Sequence, residues 1–333
     1  MTPEPTRGTT PGPPAKPTGE TTPGTPARAE PAQAGQAGPG YKHPARLDVG
    51  VVGAGRVGTA LAVALSRAGH RIAAASAVSD ASRQRVERYL AGTPVRQPEE
   101  VVAAADLVLL TVPDDTLPGL VRGLAATGAQ LAGRLLVHTS GRHGLAVLEP
   151  AAQQGALPLA LHPVMTFTGR ADDADRLAGI SFGVTAPLVL RPAAEVLVLE
   201  MGGEPVFIAE ADRDLYHAAL AGAANHLVTL VAQAQDLLAR AGVAQPARML
   251  GPLLSAALDN ALRLGDAALT GPVARGDADT VAGHVAALRL QAPEALPAYL
   301  ALARLTATRA LANGTLTAPE VERLLAVLAE SPR

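Results

Sequence analysis

The sequence predicts an α/β protein in which a parallel sheet, covered by helices on both faces, is followed by an all-α C-terminal domain. Two observations carry that expectation. From Leu47 to about residue 209, short apolar runs alternate with helix-length amphipathic stretches, the pattern of parallel strands joined by helical crossovers. After Glu210 the strand signals stop, and leucine- and alanine-rich helices continue almost to the end of the chain.

Taken in order, residues 1–45 contain 11 Pro, 7 Gly and 8 Thr and almost no large apolar side chain, so they are expected to form a disordered tail. The tail lacks the apolar stretch of a secretory signal, and a cytoplasmic location is expected. Residues 47–52 read as a strand ending in glycines, and 57–68 as a helix closed by Gly69. A second strand follows at 71–76 and a second helix at 81–90. Residues 106–112, continuous in Leu and Val up to Pro113, read as a fully buried strand. Residues 135–139 and 157–161 repeat the theme, and 180–185 and 206–209 are expected to extend the same sheet. The uncharged run at 215–235 carries Tyr216, His217, Asn225, His226, Thr229 and two glutamines. Those groups are costly in lipid, so a buried helix is expected and no membrane partner. The last helix opens with Thr317-Ala-Pro-Glu320, a capping-box spacing with proline just inside the helix. The domain division is therefore 1–45 tail, 46–209 α/β domain and 210–333 helical domain.

Composition narrows the chemistry. With 333 residues the chain can bury a core in each of two domains. The absence of cysteine excludes a disulfide scaffold, a Cys-ligated metal centre and a thiol nucleophile, and no metal site is expected. A net charge of −2 gives no reason to expect a nucleic-acid partner. The chain holds 26 arginines against two lysines, Lys16 and Lys42, which leaves no lysine for chemistry in the folded body.

Gly53-Ala54-Gly55-Arg56-Val57-Gly58 is a G-x-G-x-x-G with a strand directly before it, a helix directly after, and a second strand beyond. That context reads as a Rossmann-type dinucleotide loop rather than an ordinary glycine-rich turn. Gly53 makes the tight turn, Gly55 lets the backbone approach a pyrophosphate, and Gly58 lets helix and strand pack closely. The second strand ends in Ala74-Ala-Ser76-Ala-Val-Ser79 with no acid to take the ribose hydroxyls of NAD. Asp80 stands where a helix N-cap is wanted. Ser76, Ser79 and Arg83 are placed to contact a 2′-phosphate, so NADP is favoured and NAD kept as the alternative cofactor.

Ligands of an open parallel sheet sit beyond the carboxyl ends of its strands. Three such ends carry polar side chains: Thr111-Val112-Pro113-Asp114-Asp115, His138-Thr-Ser140-Gly141, and Leu161-His162-Pro163. Val112 and Pro113 are expected against the cofactor, its nicotinamide near Pro113 and Ser140. His162 is the candidate acid, since an imidazole titrates near working pH, although a strand-end histidine is as often a hydrogen-bonded structural residue. Ser140 is either a substrate ligand or turn chemistry, and His138 is expected to be packed. His217, Ala221 and Asn225 fall at i, i+4, i+8 on one helical face, with Asn225 expected as a buried amide that orients the substrate carbonyl. Arg275, in Thr270-Gly-Pro-Val-Ala-Arg-Gly-Asp277, either clamps a substrate carboxylate or belongs to a plain helix boundary capped by Asp277.

From Leu47 to about Glu330 these motifs resemble Rossmann-like reductases whose helical C-terminal domain is of the 6-phosphogluconate dehydrogenase type. The likeness is greatest to an uncharacterised-domain group that includes alternative ketopantoate reductases. It is carried by Gly53–Gly58, Val112-Pro-Asp-Asp115, His138-Thr-Ser-Gly141, Leu161-His-Pro163, the helix bearing Asn225, and Leu269–Asp277. The resemblance implies an NADPH-dependent reduction of a small carboxylated 2-oxo compound, with ketopantoate to pantoate as the leading case. It also brings in pyrroline-5-carboxylate reductases and prephenate dehydrogenases, and therefore imine reduction or a prephenate-type reaction. The better-known ketopantoate reductases use a catalytic lysine on the helical domain, which this chain lacks after Lys42. In the expected mechanism His162 is the acid, Asn225 orients the carbonyl, and Arg275, with His217 nearby, receives the carboxylate. A non-catalytic dinucleotide sensor is the rival from another class, and a homodimer is expected through the apolar helical faces.

Overall fold

The computed structural model describes residues 46–329. The tail expected to be disordered lies outside them, as do both lysines. Seven strands form one sheet in the order β2-β1-β3-β4-β5-β6-β7. They are β1 (Asp48–Val52), β2 (Arg71–Ser76), β3 (Leu107–Leu110), β4 (Leu135–His138), β5 (Leu157–Pro163), β6 (Ser181–Thr185) and β7 (Glu204–Phe207). The first five run parallel. Helices α1 (Arg56–Arg67), α2 (Asp80–Tyr89), α3 (Pro98–Ala103), α4 (Leu117–Ala126), α5 (Glu149–Ala152) and α6 (Arg191–Glu200) fill the connections.

Both faces of the sheet are covered, which is why its strands are apolar without alternation. In β3, Leu107 and Leu109 join a core with Leu61 and Leu65 of α1 and Val198 of α6. Val108 and Leu110 point the other way, into a core with Val101 of α3, Val121 of α4 and Leu148. The chain leaves β1 to β2 on one side and returns to β3 on the other, so the reversal of strand order falls at the carboxyl end of β1, where the glycine loop begins.

The two last strands extend the sheet as expected, but β6 runs antiparallel to β5, and β7 is parallel to β6. Direction follows the connections. Between β5 and β6 the chain makes only two short 3₁₀ turns, at Ala171–Asp173 and Asp175–Leu177, and no crossover helix, whereas α6 carries it from β6 to β7.

From Arg213 onward the structure is helical: α7 (Arg213–Ala221), a π-helical turn (Gly222–His226), α8 (Leu227–Arg240), α9 (Pro246–Leu264), α10 (Gly271–Ala274), α11 (Ala278–Gln291), α12 (Leu296–Ala312) and α13 (Ala318–Ala329). Val281, Val285, Leu296, Leu300, Ala307 and Leu324 form the core of the C-terminal bundle. The buried helix expected at 215–235 is corrected here. The run is helical but only partly covered: Tyr216 and His217 reach the sheet at Gly183 and Gly141, residues 223–230 are exposed, and α8 contains no buried residue.

Candidate active site

One rung crosses the carboxyl end of the parallel sheet through Ser76, Val52, Leu110, His138 and Ala160. The candidate residues stand just beyond it.

The glycine loop is braced from three sides. Gly53 takes a left-handed φ of +88°, and its N–H donates to Ser76 Oγ at 3.1 Å. The Thr111 hydroxyl donates to Gly53 O at 2.6 Å. A Cβ on Gly58 would overlap Thr111 Oγ1 and come within 2.8 Å of Gly53 O, so glycine there is a packing requirement. Gly55 differs, because its φ of −78° suits any residue and a Cβ would meet only Gly53 O, at 3.8 Å. The space in front of it is open, and no side chain caps α1, so the first-turn amides of Arg56, Val57 and Gly58 face outward. A diphosphate fits such a cradle. Ala54 is buried behind the loop, its N–H donating to Ser76 O at 2.8 Å, while Val112 packs near Gly53 and Pro113 is exposed on the next strand end.

Ser76 therefore faces the glycine turn. At the same end of β2 no carboxylate lies among residues 76–79. The N-cap of α2 is Ser79, whose hydroxyl accepts from Ser82 N, and not Asp80, which begins the helix and is exposed. Arg83 donates to Ala77 O at 3.4 Å and lies 3.5 Å from Asp80.

Across the site, Ser140, His162 and His217 come together. His162 is half-buried, with Nδ1 2.8 Å from the Tyr216 hydroxyl and its ring edge-on to Tyr216 and His217, at centroid distances of 5.6 and 6.5 Å. Its Nε2 would lie 2.9 Å from a Cβ on Gly141, and His217 Cδ2 2.8 Å from it. The glycine is what lets both imidazoles reach the loop. Ser140 is buried, and its Oγ accepts from the backbone N–H of Arg142 (3.2 Å) and His143 (3.0 Å), the turn role. His138 is wholly buried, its Nδ1 accepting from Ser140 N at 3.2 Å while its Nε2 pairs with Gly144 O at 2.8 Å.

The buried residue that sequence reasoning missed is Arg213, only 2% exposed. Its guanidinium donates to Thr185 Oγ1 (2.8 Å), Gly183 O (3.1 Å), Ala160 O (3.4 Å) and Ser140 O (3.5 Å), tying α7 to β5, β6 and the loop after β4. No carboxylate pairs with it among the described residues. Glu210, nearby in sequence, accepts instead from Leu145 N and Ala146 N. Glycines were the available signal: a Cβ on Gly183, mid-strand in β6, would overlap Tyr216 Oη.

Two expected placements change. Asn225 is exposed, as are all residues from 223 to 230, and the π turn at Gly222–His226 also interrupts the i, i+4, i+8 register from His217. Arg275 is the exposed C-cap of α10, in a turn that packs on the C-terminal bundle through Leu269 and Val273, and no hydrogen bond joins it to the strand ends among the described residues.

Burial pushes the His162 imidazole down to about 4, helped by the charges of Arg213 and His217 and opposed by Asp114. Burial likewise brings His138 down to about 4, with Arg213 adding to it. Both are neutral at pH 7. The unfolded chain protonates them below about 6.5 and the folded chain not until about 4, so the stability present above pH 6.5 is lost as pH falls through that window. Each histidine contributes at most about 3 kcal/mol to that loss. Thermal melts at pH 7.5 and pH 5 should show a clear drop in Tm, and a flat profile would contradict these assignments.

Two family models match the chain. Residues 32–163 match the Rossmann-like domain model, and residues 180–306 match a domain of unknown function, DUF2520. Among curated proteins there is no match. Similar solved structures include a Bacteroides fragilis protein assigned as an NADP oxidoreductase, at 22% identity and TM-score 0.65, covering 79% of this chain and 98% of that one. A Streptomyces aurantiacus imine reductase is 17% identical with TM-score 0.52, over 85% of this chain and 93% of its own. Plasmodium falciparum pyrroline carboxylate reductase, with NADP bound, is 13% identical with TM-score 0.51, over 84% and 98%. At these identities the likeness speaks to the fold, a Rossmann-type sheet followed by a helical region.

Proposed function

We propose that the protein is an NADP-dependent oxidoreductase that reduces a small carboxylated 2-oxo compound, with ketopantoate to pantoate the leading candidate. The observation that carries the reading is the open cradle at Gly55 and the uncapped amides of α1, on the same sheet edge as His162. NADP is preferred because the end of β2 presents no carboxylate and Arg83 reaches it. When bound, the reduced nicotinamide supplies a hydride. The chain's part is to hold the diphosphate at Arg56–Gly58 and to place His162 on the substrate heteroatom. A neutral imidazole polarises a carbonyl through its N–H, which suits a histidine held near 4. Arg213 adds a fixed positive charge beneath the site and favours an anionic substrate.

Reduction of a cyclic imine of the pyrroline-5-carboxylate type is the second reading, favoured because residues 46–329 contain no lysine. The similarity of the Leu161-His162-Pro163 element to prephenate dehydrogenases keeps a prephenate-type oxidation in the test. NADPH oxidation should be followed with ketopantoate and pyrroline-5-carboxylate, and NADP reduction with a prephenate-like acid. Turnover fastest with ketopantoate supports the leading candidate, and turnover only with the imine or the prephenate-like acid replaces it. Tight NADPH binding without turnover on any of the three makes the protein a dinucleotide sensor.

The same reading includes a homodimer. Met249, Leu253 and Leu264 fall on one stripe of α9 and, with Leu262 and Val228, remain 53–79% exposed. Exposed apolar side chains on α7–α9 form a patch of the kind that marks an interface. A second copy with the same stripe covers it by two-fold symmetry. Light scattering should give twice the chain mass, falling to one chain mass in Leu253→Glu/Leu264→Glu; a monomeric wild type would overturn the assignment.

A further inference from the structure

We propose that Tyr216 and Arg213 are positioning residues that fix the His162 tautomer and feed it a proton, so that Tyr216, through His162, is the source of the proton delivered to the substrate. The inference deepens the reductase reading and rests on it for the catalytic step.

The geometry begins with the Tyr216 hydroxyl, pressed against Gly183 of β6, where a Cβ would overlap it. Among the described residues the one acceptor within its reach is His162 Nδ1, at 2.8 Å. The phenol therefore donates to Nδ1, and the ring hydrogen of a neutral His162 sits on Nε2. That nitrogen is the one beside Gly141, on the edge of the site. Tyr216 has thus chosen which nitrogen meets the substrate.

His162 alone is a poor proton source. Its imidazolium is scarcely populated at pH 7, because burial and the Arg213 and His217 charges oppose it against the weaker pull of Asp114. A neutral imidazole that gave up its only N–H would become an imidazolate. Tyr216 removes that difficulty. With a bound reduced nicotinamide as the hydride source, reduction of the carbonyl would build negative charge on its oxygen. His162 Nε2–H passes its proton to that oxygen while the Tyr216 O–H passes its proton to Nδ1. The products are the alcohol, a neutral His162 carrying its hydrogen on Nδ1, and a tyrosinate; the Nδ1 proton then returns to the tyrosinate while Nε2 takes one proton from solvent, which restores the starting tautomer. The transfer runs downhill, since an alkoxide is several units more basic than a phenolate.

Arg213 completes the device. Its guanidinium carbon lies 5.7 Å from the Tyr216 ring centroid, its donors go to a hydroxyl and backbone carbonyls, and Glu210 attracts it without forming an ion pair. Burial raises the Tyr216 pKa, and the Arg213 charge works against that rise. A buried cation with no carboxylate in contact is costly. Beside a side chain that becomes an anion once in each turnover, it has a function.

The test has two arms. In the dinucleotide-free protein, long-range ¹H–¹⁵N spectra of His162 at pH 7 should show the Nε2–H form alone, and Tyr216→Phe should show a mixture containing Nδ1–H. In turnover, Tyr216→Phe should lose roughly 10- to 100-fold in kcat with KM for NADPH nearly unchanged. The solvent-isotope proton inventory should fall from two protons in flight to one. Because Arg213→Gln leaves carbonyls unpaired and risks the fold, Arg213→Lys is the companion. It keeps the charge and should retain the wild-type tautomer. An Nδ1–H tautomer in the wild type, or a Tyr216→Phe enzyme with an unchanged tautomer and inventory, would overturn the proposal. The spectra need no substrate, so a failure of the reductase reading leaves this arm to decide.

Discussion

His162→Ala should lower turnover by roughly 10²–10⁴-fold, the usual range for losing a positioned proton donor, while NADPH affinity stays nearly constant. The two halves of the expectation come from separate parts of the site. His162 stands at the end of β5, held from one side by Tyr216 and set against the Gly141 loop, whereas the diphosphate cradle is built from β1, α1 and Thr111. Loss of the imidazole therefore leaves the loop intact. It also removes a buried histidine that is hard to protonate, so the variant should lose less stability than wild type when pH falls from 6.5 toward 4. Steady-state kinetics with NADPH titrations measure the first effect, and melts at two pH values measure the second. Equal turnover in the two proteins would remove His162 from the mechanism.

The second large effect separates two glycines three residues apart. Gly55→Val should fold with near-wild-type stability, because its φ of −78° suits a branched residue and a Cβ there meets nothing closer than 3.8 Å. Its added side chain occupies the space a pyrophosphate needs, and dinucleotide affinity should fall by at least roughly 100-fold, about 3 kcal/mol. Gly58→Ala should do the reverse in part. Its Cβ overlaps Thr111 Oγ1, whose hydroxyl also holds the turn at Gly53, so the variant should lose roughly 1–3 kcal/mol of stability. Thermal melts and nucleotide titrations on the two variants distinguish packing from ligand space. Loss of stability in Gly55→Val with unchanged binding would contradict the assignment.

The fold was largely legible in the sequence because its signals are local. Continuous Leu/Val runs marked buried strands, and the glycine loop announced the strand–turn–helix that opens the sheet. The direction of β6 was not legible, since it depends on whether the chain crosses over a helix or turns back on short 3₁₀ segments. Exposure of the run after Arg213 was also hidden. Its apolar side chains read as core whether or not anything covers them. At the site, His162, Ser140 and His217 could be named because each stands at a strand end or on the helix that follows the sheet. Arg213 and Tyr216 could not, since their partners at Ser140, Ala160, His162, Gly183 and Thr185 lie 28 to 73 residues away. Only two unexplained glycines, Gly141 and Gly183, hinted at the close approach. Asn225 was misplaced with the run around it, since residues 223–230 are exposed, and the sequence does not mark the π turn that interrupts the helical spacing there.

Isothermal titration of the wild-type protein with NADPH, NADH and their oxidised forms tests the central claim most directly. The account predicts saturable, one-site binding that is tighter for the 2′-phosphorylated nucleotides and is lost in Gly55→Val. No heat and no saturation with any of the four would contradict it.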